Sequence, residues 1–324
     1  MTDRTVLISG ASVAGPALAF WLRRHDFAPT VIERAPAPRG GGYDVDFRGP
    51  AVIDVLDRMG ILDEVRRQQT PRRETVILDG DGRQATLPPE KFGGDIEIQK
   101  SDLTRILHAA TESDVPYIFD NSITTLTQRP DSVRVTFERG EPREFDLVVG
   151  ADGQHSIVRA LAFGPESDFI HHLGMASAGF TTANYLDLAN RGLLYQVSGA
   201  FAGVNCRADK PDMHVVLSFA AKSLDYDRND VEQQKKIVAD RLAGLGWEVP
   251  RLLTAMRAAP DLYFDTMSQI KMARWTNGRI ALLGDAACCA APTSGHGTSQ
   301  ALIGAYVLAG ELATTAGHES AFAR

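Results

Sequence analysis

The segment Thr5-Val6-Leu7-Ile8-Ser9, followed directly by Gly10-Ala11-Ser12-Val13-Ala14-Gly15, constrains the fold of this chain more than any other. Its β-branched and apolar residues predict a buried strand. Pro16 to Arg24 then predicts a helix, and Pro29-Thr30-Val31-Ile32-Glu33-Arg34 a second strand. A strand, a glycine turn, a helix and a further strand make the βαβ unit on which dinucleotides are gripped. Gly10 makes the tight turn, and Gly15 lets helix and strand pack closely. Glu33 lies 18 residues after Gly15, where a carboxylate reaches the hydroxyls of an adenosine ribose. Ser12 replaces the middle glycine of G-x-G-x-x-G. Its Cβ narrows the gap to a pyrophosphate, but its hydroxyl can donate to a phosphate oxygen. The bland alternative is a βαβ unit with incidental glycines.

A second constraint lies near the other end. Arg279-Ile280-Ala281-Leu282-Leu283 has the length and apolar content of a buried strand, and Gly284-Asp285 ends it where an α/β sheet presents ligands. The Asp285 carboxylate can accept hydrogen bonds from a polyol there. After Pro292, Gly295 and Gly297 let backbone approach a flat ligand, and Thr298 through Leu312 predicts a helix whose free N–H groups face it. A helix start at Thr298-Ser299 favours negative charge, such as develops at the pyrimidine end of a reduced flavin. The segment reads as the floor of a flavin site. A strand, a turn and a helix without a ligand would produce the same pattern.

Between these ends, Arg39-Gly40-Gly41-Gly42-Tyr43-Asp44-Val45-Asp46-Phe47-Arg48-Gly49 is too glycine-rich for a helix interior. It is either a cover for a cofactor ring or a solvated loop. Ala51 to Met59 has apolar residues at helical spacing and stops at Gly60. Glu97 to Leu107 predicts a strand entering a helix with Ser101 or Asp102 as N-cap, which puts Lys100 at the helix start, within reach of a phosphate or a flavin, or simply in solvent. Phe145 to Gly150 predicts a buried strand that leads into Asp152-Gly153-Gln154-His155-Ser156-Ile157-Val158-Arg159. Asp152 there can serve both a diphosphate and the helix N-terminus, and Arg159 can pair with Asp152 or with a pyridine nucleotide phosphate.

Composition closes several classes. A net charge of −7 argues against nucleic acid or an anionic membrane as a general partner. No apolar run approaches the ~20 residues that span a bilayer. The first residues run straight into a strand with no signal peptide, so a cytoplasmic protein is expected. The cysteines Cys206, Cys288 and Cys289 form no C-x-x-C pair, which excludes the redox-active disulfide of flavin disulfide reductases.

Three separated pieces agree in order: the βαβ start with its acid, Asp-Gly-x-x-Ser-x-Val-Arg, and Gly-Asp-Ala-Ala…Pro-x-x-Gly-x-Gly. Together they resemble the FAD-dependent aromatic hydroxylases, the class A flavoprotein monooxygenases with the para-hydroxybenzoate hydroxylase fold, over Thr5 to Leu312. The glycine loop is similar to that of the tetracycline-monooxygenase branch. The resemblance implies an α/β protein: a Rossmann-like FAD-binding domain at 1–168 and 273–324, with an inserted mixed β-sheet substrate domain at 169–272. Family members continue through further C-terminal helices, so the return segment is expected to be truncated before them. The resemblance further implies that Gly10, Ser12, Val13, Ala14, Gly15, Glu33 and Arg34 hold the adenosine diphosphate side. Arg39, Asp46, Lys100 and Leu103 flank the cofactor, with Lys100 in the place of an arginine. Asp152 and Gly153 support the diphosphate and a pyridine nucleotide groove. Gly284 and Asp285 take the ribityl side, and Pro292, Gly295, Gly297, Thr298 and Ser299 meet the isoalloxazine. Cys288, His296, Ser299 and Gly304 stand where a histidine, a glutamine, an asparagine and an aspartate are frequent.

Phe169 to Met272 reads differently, with strands at Gly192–Val197 and His214–Phe219 and an amphipathic helix at Val231–Leu242. Phe180, Tyr195, Phe201 and Phe219 either line a cavity roof or are plain core. His171, His172 and His214 lack metal spacing. The expected chemistry is borne by the flavin: NADPH or NADH reduces FAD, O2 is captured as a C4a-hydroperoxide, and a small planar organic substrate is hydroxylated. No side chain need act as a nucleophile. A flavin oxidase or dehydrogenase and a non-catalytic flavin-binding protein are the alternatives, while a halogenase is disfavoured by the wide separation of Trp21, Trp247 and Trp275.

Overall fold

A run of β-branched residues bounded by glycine turns can hide its backbone polar groups only inside a sheet. The computed structural model, which describes residues 4–38, 44–71, 74–88, 94–207, 209–291 and 294–324, contains two large sheets built from such runs. In chain order the strands begin β1 (Arg4–Ser9), β2 (Phe27–Ile32), β3 (Asp44–Phe47), β4 (Glu74–Asp79), β5 (Gln84–Leu87), β6 (Ile96–Gln99), β7 (Tyr117–Ile118), β8 (Ile123–Gln128) and β9 (Val133–Phe137). They continue with β10 (Arg143–Phe145), β11 (Leu147–Gly150), β12 (Ile170–Ala183), β13 (Arg191–Val197), β14 (Ala200–Cys206), β15 (Asp212–Ala220), β16 (Tyr263–Ile270), β17 (Thr276–Asn277) and β18 (Ile280–Leu282). The helices are α1 (Ala14–Arg23), α2 (Pro50–Arg58), α3 (Leu62–Arg67), α4 (Lys100–Ala109), α5 (Ile157–Phe163), α6 (Val231–Leu242), α7 (Val249–Ala258), α8 (Gly297–Thr314) and α9 (His318–Phe322). No described helix is long and apolar enough to cross a membrane.

The first sheet has the order β17-β18-β11-β1-β2-β7, and its neighbours are parallel except for β17 against β18. Its register places the site. Ser9 pairs with Gly150 and with Ile32, and Gly150 pairs with Leu282. The ends of β1, β11 and β18 therefore lie side by side, and the loops that follow them open on one edge of the sheet, where α/β folds bind ligands. Helices α1 and α8 pack together on one face through small residues, with Ala17, Ala305 and Ala309 all at 0% exposure. The three-stranded sheet β10-β9-β8 covers the other face through Val133, Val135 and Phe145.

The second large sheet has the order β16-β12-β15-β14-β13-β4-β5, and β13–β4 is its parallel pair. It takes β4 and β5 from residues 74–87, far from the rest of the sheet in sequence. Alternation along its strands separates two faces. Ala176, Phe180, Tyr195, Val215, Leu217 and Phe219 pack against Val238, Leu242, Leu252 and Met256 of α6 and α7. The opposite face carries Leu194, Phe201, His214, Val216 and Ser218 in the intervening positions and turns toward the first sheet. There the side-chain nitrogen of Gln99 lies 2.5 Å from His214 Nε2, and Gln269 Nε2 donates to the Ala290 carbonyl at 3.2 Å. The architecture is thus the expected α/β arrangement of a Rossmann-like layer roofed by a mixed sheet.

Candidate functional site

The first loop is shaped by missing side chains. Gly10 has φ +109°, and a Cβ built on it would lie 2.4 Å from the Ala151 carbonyl oxygen. A Cβ on Gly15 would lie 1.9 Å from the Gly10 oxygen, so turn and helix touch through backbone. Val13 and Ala14 are buried, Ser12 is half-buried, and α1 begins with no side-chain cap at Val13. Its first N–H groups are left to the loop. Glu33 is fixed at the end of β2: its two oxygens accept from the N–H groups of Ala11 at 2.9 Å and Ala35 at 3.0 Å. Arg34 beside it is exposed.

The second loop follows β11. Asp152 accepts from the Ser156 hydroxyl at 2.5 Å, from the N–H groups of Ile157 at 2.9 Å and Val158 at 3.2 Å, and from the Ser9 hydroxyl at 3.4 Å. Burial raises its pKa, and the hydrogen bond from Ser156 opposes the rise. Asp152 thus ties the start of α5 to the end of β1, with Ser156 as formal N-cap accepting from the Arg159 N–H at 3.0 Å. Gly153 follows at φ +82° with open space beside it.

The third loop closes the ring. A Cβ built on Gly284 would lie 3.3 Å from Ala14 Cβ and 3.6 Å from Ala301 Cβ, which joins the last motif to the first. Asp285 is open to the cleft on one side and crowded by protein on the others. That crowding raises its carboxyl pKa, while the nearby Lys100 ammonium draws it down. Lys100 is half-buried as the first residue of α4, and Leu103 is fully buried in the apolar core. A Cβ on Gly297 would lie 3.6 Å from Asp285 Oδ1. Helix α8 starts at Gly297 with no side-chain cap, so the N–H groups of Gly297, Thr298 and the buried Ser299 form its open end. Gly295 lies against the ion pair of Asp46 and Arg48, whose atoms are 2.9 Å apart, and the Arg48 N–H reaches Ser299 Oγ at 3.4 Å. Arg39 and Pro292 lie outside the described residues.

Two expectations change, and one left open between cavity roof and core is decided. Neither Ser101 nor Asp102 caps α4: the N-cap is Gln99, two residues before Ser101 and three before Asp102. Arg159 does not face a nucleotide groove. It is 0% exposed and donates to the carbonyls of Ala286 at 3.0 Å and Gln154 at 2.5 Å and to Glu166 at 3.2 Å. Phe180, Tyr195 and Phe219 belong to the core beneath α6 and α7, and only Phe201 of the four lies on the other face. Sequence reasoning passed over His155, inside a motif it had singled out, because its partners stand 11 and 110 residues away.

The cradle at Gly10, Gly15 and Gly284, the ribose-height acid Glu33 and a carboxylate open to the cleft beside an uncapped helix fit a dinucleotide with a polyol arm. These features are those of a dinucleotide-binding protein of the doubly wound α/β class, and comparison with known proteins narrows it. The model of the FAD binding domain family matches residues 3–321. An uncharacterized protein of Mycobacterium tuberculosis is 48% identical over 316 residues, covering 95% of this chain and 85% of that protein. A flavin-dependent monooxygenase of Legionella longbeachae is 37% identical over 318 residues, covering 97% of this chain and 81% of its own. The solved structure of the tetracycline destructase Tet(51) superposes with a TM-score of 0.91 at 34% identity, covering 100% of this chain and 86% of that one. The chain belongs to the FAD binding domain family, as an FAD-dependent monooxygenase.

Proposed function

We propose that the chain uses NADPH or NADH together with O2 to hydroxylate an aromatic or polyketide-like small molecule over FAD held by the three converging loops. One observation carries this reading: the shared register of β1, β11 and β18 brings three glycine loops to one edge, with Asp285 at its floor beside the open start of α8. Bound FAD supplies the redox chemistry, accepting a hydride from the nicotinamide and activating oxygen. The protein supplies grip, orientation and exclusion of water.

In this reading the first N–H groups of α1, with Gly10, Ser12 and Gly15, take the diphosphate. Two backbone donors aim Glu33, whose carboxylate is the acceptor for the ribose hydroxyls. Asp285 accepts from the ribityl chain, with Lys100 balancing its charge. Gly295, Gly297, Thr298 and Ser299 meet the ring, and the positive end of α8 favours electron density there. The Asp46–Arg48 pair packs against Gly295 and sets the height of the ring's cover. Among the described residues one dinucleotide βαβ unit is found, so the nicotinamide donor visits rather than resides. The roof face offers small and neutral residues, Ser177, Gly179, Gly203 and Val216, to a flat substrate. Together with the tetracycline destructase neighbours, that face directs the choice of substrate to fused polycyclic phenols.

The test is an absorption spectrum of the purified protein, followed by NADPH and NADH oxidation screens against phenolic and polycyclic compounds under isotopically labelled oxygen. A yellow protein that places labelled oxygen in product is the expected result. Substrate oxidation without an external reductant would overturn the hydroxylase reading in favour of an oxidase.

A further inference from the structure

His155 sits in the turn between β11 and α5 with both ring nitrogens facing carboxylates. Nδ1 lies 3.0 and 3.1 Å from the two oxygens of Glu166, and Nε2 lies 2.8 Å from Asp265 Oδ2. An imidazole that serves acceptors on both sides donates from both nitrogens and is therefore the cation. Asp265 belongs to β16, the edge strand of the roof. It also accepts from the Tyr226 hydroxyl at 2.9 Å and the Thr266 N–H at 2.7 Å, with the Tyr263 hydroxyl at 3.5 Å. Glu166 accepts from Arg228 at 2.5 Å and from buried Arg159 at 3.2 Å, and Arg159 donates at 3.0 Å to the carbonyl of Ala286, the residue after Asp285. An unbroken chain of charged hydrogen bonds thus runs from the roof strand to the floor of the FAD cleft.

We propose that protonated His155 is a positioning residue that locks the roof strand β16 to the floor at Asp285–Ala286, so that the grip on FAD loosens when His155 loses its proton. The proposal rests on the FAD reading above. The groups facing His155 are Glu166 after α5, Asp265 and Tyr263 on β16, Tyr226 and Arg228 ahead of α6, and, one bond further, Arg159 of α5 with Asp152 and Cys289 beside it. Burial opposes the imidazolium, but the carboxylates of Asp265 and Glu166 outweigh it and lift the pKa above the ordinary 6.5. Burial likewise opposes both carboxylates, but His155, joined by Arg228 at Glu166 and by Tyr226 and the Thr266 N–H at Asp265, outweighs it, holding Glu166 down at about 2 and Asp265 below its usual value. The acid limb of the lock therefore falls well below neutrality. The lock is complete from pH 6.5 down to that acid limb, and is lost as the pH rises through the elevated pKa of His155.

The experiment follows FAD release from the holoprotein by the return of flavin fluorescence between about pH 5.5 and 9.5, with amide hydrogen exchange of residues 263–270 at each pH. In the native protein the FAD dissociation constant rises about tenfold on the alkaline side, the scale of one charge-assisted hydrogen bond, and the protection of β16, taken against the intrinsic base-catalysed exchange rate at each pH, falls with it. His155→Gln holds the alkaline value at every pH. Asp265→Asn keeps an imidazole with one carboxylate partner and moves the limb to lower pH. His155→Gln with the native limb, or a limb unmoved in Asp265→Asn, overturns the proposal. A native protein that binds no FAD at any pH refutes the cofactor reading, and hydrogen exchange then decides the lock: protection of β16 that ignores pH overturns it.

Discussion

The floor of the cleft is shaped by side chains that are absent, and its roof by side chains that alternate. Gly10, Gly15 and Gly284 let three loops meet at distances that a Cβ would fill. In the roof every second residue of β12 to β15 goes into the core beneath α6 and α7, and the residues between them face the cleft. The floor therefore tolerates little change at Gly10 and Gly15, where an added Cβ strikes backbone. The roof tolerates change on one face and resists it on the other. A site of this kind can keep its cofactor fixed while its substrate face varies.

The largest expected effect tests the buried side of that contrast. Phe219 is 2% exposed, and its ring stacks near Phe264 with centroids 6.5 Å apart. Phe219→Ala should lower stability by about 3–5 kcal/mol, as large-to-small changes in a close-packed core do. Denaturant unfolding measures it, and a loss under about 1 kcal/mol would remove Phe219 from the core. Next comes the floor. Gly10→Ala combines a strained φ with a Cβ 2.4 Å from a carbonyl oxygen that cannot withdraw. A loss of about 3 kcal/mol is expected, along with FAD retention. An alanine variant of native stability would show that the loop yields, which breaks the claim that absent side chains shape the floor.

The two regions were also unequally legible in the sequence. The floor residues were readable because glycine at a strand end carries a local meaning, and because Gly10-x-Ser12-x-x-Gly15, Asp152-Gly153 and Gly284-Asp285 each announce a turn that only a few conformations satisfy. What the sequence lacked was the register of β1, β11 and β18, which makes neighbours of turns more than a hundred residues apart. In the roof the strands at 191–197 and 212–220 were visible from their apolar content, but not which face is core. Phe201 and Phe219 look alike in sequence, and only the pairing of Ala200 with Phe219 separates their sides. The contribution of β4 and β5 was hidden for the same reason. Arg159 misled because a guanidinium in a nucleotide-binding motif suggests a phosphate, whereas two carbonyls and Glu166 already occupy it.

A middle-sized effect concerns binding rather than folding. Asp285 is exposed, so Asp285→Ala should leave the fold intact, and on the proposed reading it removes an acceptor from the ribityl side of the cofactor. FAD affinity should fall by about 1.5–3 kcal/mol, the range for a hydrogen bond to a charged group. Titration with FAD at fixed pH reads it directly. Unchanged affinity would take Asp285 out of the site and leave the floor with shape but no polar anchor.

The smallest effect is the sharpest test of the two-faced roof. Phe201 is half-buried on β14, one position out of phase with the buried Ala202 and Val204. Its ring is therefore on the cleft side and not in the core, and the proposed reading makes it part of the cover over the substrate. Phe201→Ala should change stability by less than about 1 kcal/mol and leave FAD affinity within twofold, while it alters which polycyclic phenols stimulate NADPH oxidation. If Phe201→Ala instead destabilises the protein as strongly as Phe219→Ala, the two rings share one core and the alternation argument fails. If it changes neither stability nor substrate range, the substrate lies elsewhere along the sheet, nearer the pair formed by Gln99 and His214.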